Sequence, residues 1–171
     1  MVDDISLKRI ELLHPKIREI VKKAYLEACD KLTGRAILRL SYTLRTFAEQ
    51  DGLYAQGRTK PGKVVTWAKG GESYHNYAMA WDIVLLLDKD GNGTYETASW
   101  ETNVDFDGDG QADWREVVES FTKIGAEWGG NWGKPKTDEP HFQITLGHSI
   151  HSLQELYKMK KFIPNTNYLA I

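Results

Sequence analysis

The sequence predicts an α+β fold, a single domain in which a small, mainly antiparallel sheet is flanked by helices and carries an EF-hand-like loop insertion. Three observations predict it. Segments of helical period alternate with segments of strand period; the 171 residues are about the length of one domain; and an Asp- and Gly-rich stretch, 88–113, interrupts the periodic segments. The domain is read as 1–171, with the acidic insertion at 88–116.

From Ile17, the positions Ile20, Val21, Ala24, Tyr25 and Ala28 recur at helical spacing, His14-Pro15 marks a start and Gly34 a stop. That is an amphipathic helix. Ala36, Leu38, Leu40, Tyr42 and Leu44 then alternate with Ile37, Arg39, Ser41 and Thr43, the pattern of a half-buried strand, with Arg45 at its end. Thr46 to Gln56 reads as a short helix closed by Gly57, and the stretch to Gly71 as a loop. Met79 to Leu87 is a second, more buried strand. After the insertion, Trp114 to Trp128 carries Val117, Val118, Phe121, Ile124 and Gly125 at helical spacing. His141 to Ile144 is a short strand, and Leu153, Leu156, Tyr157 and Lys160 mark a last helix.

Composition excludes several classes. The 22 Lys+Arg against 24 Asp+Glu leave a net charge of −2, so no strong field draws the chain to nucleic acid or holds it on an anionic membrane. The lone Cys29 forms no intramolecular disulfide or cysteine-rich zinc module and reads as a small core residue. The apolar run Ile83 to Leu87 is far short of the ~20 residues that span a bilayer, and Met-Val-Asp-Asp-Ile lacks a basic n-region. These features predict a soluble chain without an export signal; a monomer is expected.

On a strand, Asp82 shares a face with Ala80, Val84 and Leu86, and a carboxylate among apolar neighbours needs a partner. His75 precedes that strand and His141 opens another. Two imidazoles and a carboxylate are what a catalytic Zn²⁺ uses when its fourth position stays open, and Asp138, three residues before His141, would then serve as general base. In the insertion, Asp105, Asp107, Asp109, Gly110, Asp113 and Glu116 fill positions 1, 3, 5, 6, 9 and 12 of a calcium loop, with the Gln111 carbonyl at 7. Asp88, Asp90, Asn92, Gly93 and Glu96 start a similar loop whose position 12 is Ser99, leaving a second Ca²⁺ site open. His148 and His151 read as surface residues.

Ser73-x-His75-x-x-Ala78-x-Ala80-x-Asp82 resembles the S-x-H-x-x-G-x-A-x-D motif of the LAS metallopeptidases of the peptidase M15 family, and Asp138-x-x-His141 resembles their second motif. Tyr42-x-x-Arg45-Thr46, Tyr54 to Thr59, Glu127-Trp128-Gly129-Gly130-x-Trp132 and Pro140 to Gln143 are similar to the branch of peptidoglycan L-alanyl-D-glutamate endopeptidases that includes phage endolysins. The resemblance implies that His75, Asp82 and His141 hold zinc, that Asp138 is the base, and that Arg45 polarises the scissile carbonyl. It implies bacterial peptidoglycan as substrate, synthesis in a host cytoplasm and action at the cell wall, or export if a leader is removed. Ser73 is open to two roles, a substrate hydrogen bond or a turn cap; Gln50 to cleft support or a solvated helix position; Trp128 to a cleft wall or the core. Ala78 stands where the motif has Gly, which predicts a narrowed loop or a negative φ. A D,D-carboxypeptidase or dipeptidase of the same group, and a non-catalytic zinc-bearing signalling module, are the alternatives.

Overall fold

Alternation along one strand decides the layout. In the computed structural model, which describes all residues from Met1 to Ile171, β2 (Ala80–Leu87) lies inside the sheet. It sends Trp81, Ile83, Leu85 and Leu87 into the main core and Val84 and Leu86 into a separate small cluster with Ile37 on the other face. Asp82 belongs to that second face, as the pattern predicts.

β1 (Ala36–Tyr42) pairs with one edge of β2. The other edge is shared: β5 (His141–Gln143) pairs with its first half and β3 (Thr97–Ser99) with its second. β4 (Glu127–Trp128) closes the far side against β5, and all these pairings are antiparallel.

Helices cover the apolar face. Ile10 of α1 (Asp4–Ile10), Ile17, Val21, Ala24, Tyr25 and Ala28 of α2 (Pro15–Lys31), and Trp114, Val117 and Phe121 of α4 (Asp113–Lys123) are buried with the odd-numbered residues of β2. Phe121 sits 5.2 Å from the ring of Trp81 and 5.1 Å from that of Phe142. Such contacts add roughly 0.5–1.5 kcal/mol each beyond their burial. They also join α4 to the residues beside Asp82 and His141. α3 (Phe47–Ala55), which follows β1, and α5 (Ile150–Lys158) contribute Phe47 and Leu153 to another cluster around Tyr77 and Met79. Cys29 is a free, buried thiol in the core.

The structure corrects several boundaries. β1 stops at Tyr42 and not Leu44, because its register slips after Leu40 and the next carbonyl, that of Thr43, turns away to meet His75. The helix expected to run to Trp128 ends at Lys123; Gly125, at φ 85°, turns the chain so that Glu127 and Trp128 can pair with β5. α1, too short to show periodicity, was not predicted. The insertion does not wholly interrupt the fold, since β3 lies inside it and extends the sheet. No helix is long and apolar enough to cross a membrane.

Candidate metal centre and active site

Strand register places the first two ligands. Asp82 and His141 are directly opposed across β2 and β5, so their side chains emerge on the same face. His75 arrives from a 3-10 turn, Tyr74–Tyr77, just before β2. Ser73 caps that turn by accepting from the His75 N–H, and Asn76 ties it to the Arg45 carbonyl through its Nδ2 at 2.9 Å. Ala78 then reverses the chain in the left-handed region at φ 59°. Of the two outcomes expected for Ala78, the negative φ is not found: the turn imposes the left-handed conformation on alanine, at roughly 1–2 kcal/mol.

His75 Nε2, Asp82 Oδ1 and His141 Nδ1 form a triangle with all three sides 3.2 Å. A tetrahedral zinc with bonds of about 2.0–2.1 Å would need donor separations of roughly 3.3–3.4 Å. The size fits.

The protons fit as well. The Thr43 carbonyl can only accept, so His75 Nδ1, 2.7 Å away, donates to it and leaves the Nε2 lone pair facing the triangle. For His141 the assignment runs through two residues. Gln143 Nε2 donates to Glu127 at 2.9 Å, which leaves Gln143 Oε1 to accept from His141 Nε2 at 3.0 Å and turns the Nδ1 lone pair inward. Three lone pairs thus converge, an arrangement that suits a cation. Burial raises the Asp82 carboxyl, but when His75 and His141 carry inward protons in place of a cation, their charges and hydrogen bonds outweigh it and hold Asp82 well below the usual carboxylate range.

Arg45 is buried beside this triangle. Its Nη2 lies 3.4 Å from Asp82 Oδ2, its Nη1 donates to Gln50 Oε1 at 2.9 Å, and its guanidinium rests 4.6 Å from the Tyr42 ring centroid. Its buried Nε has no partner. Gln50 is fully buried, with Nε2 donating to Ala68 O and Thr66 Oγ1. Of the two roles left open by the sequence, the solvated helix position is overturned; Gln50 fixes the arginine from behind and so supports the cleft.

These residues open on a cleft of about 920 Å³ lined by Arg45, Ser73, His75, Asp82, Asp138 and His141. Asp138 has its pKa raised by desolvation at the cleft wall and by the Asp82 charge, against the pull of His141, His75 and Arg45. Its backbone is fixed by an N–H to the Gly129 carbonyl at 3.0 Å. Gly129 is required there, because a Cβ would collide with the Asp138 carbonyl and come within 3.2 Å of His141 Cβ.

Trp128 is not a cleft wall. It is buried in the core, and its Nε1 donates to the Glu139 carbonyl at 2.7 Å, bracing the Asp138–His141 turn. The Gly129–Asn131 turn reverses the chain, so Trp132 takes the wall position, its ring 5.1 Å from that of His141. Two further aromatic walls escaped sequence reading. Trp67, 70% exposed, and Trp100, 54% exposed, both line the cleft from irregular segments that carry no periodic signal.

Away from the cleft, the acids of the insertion gather in two overlapping groups, Asp105–Asp107–Asp109 and Asp107–Asp113–Glu116. In the upstream loop, both oxygens of Asp88 accept backbone N–H groups from Gly91, Asn92 and Gly93, while Asp90 accepts from Asn92. Position 12 there is a serine. His148 and His151 join no metal-competent group.

A family model described as D-alanyl-D-alanine carboxypeptidase matches residues 66–144, which contain His75, Asp82, Asp138 and His141. The chain is 42% identical over 132 residues to the peptidoglycan L-alanyl-D-glutamate endopeptidase CwlK of Bacillus subtilis, a match covering 77% of this chain and 73% of that protein.

Proposed function

The chain belongs to the peptidase M15 family, and from that premise we propose that it is a zinc-dependent peptidoglycan endopeptidase that cuts the stem peptide between L-alanine and D-glutamate. The observation that carries the zinc reading is the triangle of inward-facing lone pairs on His75, Asp82 and His141. The choice of bond is supported by the identity to CwlK.

Bound to this triad, Zn²⁺ would supply Lewis acidity that makes a water a competent nucleophile near neutral pH. Asp138, which lines the cleft beside the triad, takes the proton from the attacking water and returns it to the leaving amine. Arg45, clamped by Gln50 and Asp82, offers its guanidinium to the scissile carbonyl oxygen as negative charge develops there. Trp67, Trp100 and Trp132 present flat apolar faces against which peptide planes or sugar rings can pack.

We also propose that the enzyme serves as a phage endolysin acting on the wall; the similarity of its flanking segments to that branch supports this role. A second reading, D,D-carboxypeptidase, is favoured by the description of the matching family model. Mass spectrometry of digested stem peptides separates the two. A new amino terminus at D-glutamate supports the endopeptidase. Release of only the terminal D-alanine supports the carboxypeptidase, and an intact stem overturns both.

A further inference from the structure

Asp113 is fully buried, yet only one of its carboxylate oxygens is used, accepting the Phe106 N–H at 2.6 Å; Oδ1 has no partner. Glu116 is 4% exposed, and its carboxylate makes neither a hydrogen bond nor an ion pair, with Oε2 completely enclosed. Leaving such groups unpaired costs several kcal/mol. Both face Asp107, their oxygens lying within 4.8 Å of one of its own. No Lys or Arg forms an ion pair with any acid of this loop.

We propose that the loop Asp105–Glu116 is a calcium site, separate from the zinc triad, in which Asp105, Asp107, Asp109, the Gln111 carbonyl, Asp113 and Glu116 hold one Ca²⁺ and thereby fix the start of α4. An all-oxygen set around the Gly110 turn suits a hard, flexible cation such as Ca²⁺ better than zinc. The ion would supply the missing partner for Asp113 and Glu116, which lie in the first turn of α4. That start has no side-chain cap of its own, its N-cap being Ala112. The effect reaches the catalytic strands, since Phe121 of α4 packs on Trp81 and Phe142, the neighbours of Asp82 and His141. Asp107 also accepts from Thr33 N at 2.7 Å, tying the loop to the end of α2. The 88–99 loop receives no ion in this proposal. It has Ser99 at position 12 and lacks an enclosed, unpaired carboxylate.

The test is calorimetric titration of CaCl2 into the zinc-loaded full chain, with thermal midpoints measured in parallel, for the parent, Glu116→Gln, Asp109→Asn and Asp90→Asn. The parent should bind one Ca²⁺ with Kd between about 10⁻⁷ and 10⁻³ M and gain thermal stability, with Mg²⁺ a poor substitute. Glu116→Gln should weaken binding at least tenfold while leaving the calcium-free midpoint no lower than the parent's, because it removes an unpaired buried charge. Asp109→Asn, at an exposed position, guards against misfolding of the buried variant and should weaken binding by a similar factor. Asp90→Asn should bind as the parent does. Absence of heat and of any midpoint shift at millimolar Ca²⁺ would overturn the proposal. So would unchanged affinity in both Glu116→Gln and Asp109→Asn, or loss of binding in Asp90→Asn alone.

Discussion

The cleft and the acidic insertion each gather carboxylates, but only the cleft sets cationic or imidazole side chains against the buried ones. Asp82 lies between two imidazoles and beside Arg45, and His75 and His141 are each oriented by an outer acceptor. Asp113 and Glu116 instead face other acids, and Glu116 is pushed up to about 7 by burial and by Asp109, Asp107 and Asp113, against a weak pull from Lys31. On the proposals above, these are two ways of preparing for a cation. At the triad, proton positions are set in advance by Thr43 and by the Glu127–Gln143 pair. In the insertion the fold leaves the charge of Asp113 and Glu116 without a full set of partners, and the proposed Ca²⁺ would supply them.

The largest expected effect breaks the cleft side of the comparison. His75→Ala and His141→Ala should each reduce zinc from about one per chain to near zero by elemental analysis and abolish wall hydrolysis. Retained zinc in both would remove the triad from the account. Next, Asp138→Asn should keep zinc and the thermal midpoint but lose about 10²–10⁴-fold in kcat. Near-parental turnover would mean that another group moves the proton.

On the insertion side, the contribution of Glu116 is expected to depend on pH in calcium-free buffer. Its folded pKa of about 7 lies above the ordinary 4.5, so the folded state holds a proton that the unfolded state has released. The parent should therefore lose stability relative to Glu116→Gln as pH rises from about 4.5 to about 7, and the difference should be flat above that. Its full size is up to about 3 kcal/mol by linkage, read from denaturant unfolding of the two proteins at each pH. A constant difference across the window would show that Glu116 is not electrostatically isolated. The smallest effect sharpens the role of outer residues at the cleft: Gln50→Ala should lower kcat about tenfold with little change in KM and in zinc content, because it releases Arg45 and touches no substrate. A change confined to KM would return Gln50 to the substrate side.

The triad was legible because its spacing combines a turn, a strand and a second acidic motif, and strand alternation alone put Asp82 on the face opposite the helices. Its orienting shell was not. Glu127 and Gln143 lie on strands of two and three residues, too short to carry a period, and their pairing is a property of the sheet. Trp128 read as a wall candidate, and only the turn at 129–131 decides that Trp132 faces the cleft in its place. Gln50 looked like a polar helix position because its buried partners, Arg45 and the Ala68 carbonyl, come from segments without regular structure. Ala78 shows the reverse: a local rule gave the wrong φ because the His75 turn and its tertiary contacts outweigh the intrinsic preference of alanine.

The central claim, that this chain cuts peptidoglycan stem peptides through a zinc held by His75, Asp82 and His141, is tested most directly by titrating Zn²⁺ into chelator-stripped protein while following stem-peptide cleavage. The account predicts no cleavage without the metal, a rise in rate that saturates at about one zinc per chain, and products separated between L-alanine and D-glutamate. Cleavage at the full rate by the stripped protein, or no cleavage at saturating zinc, would contradict it.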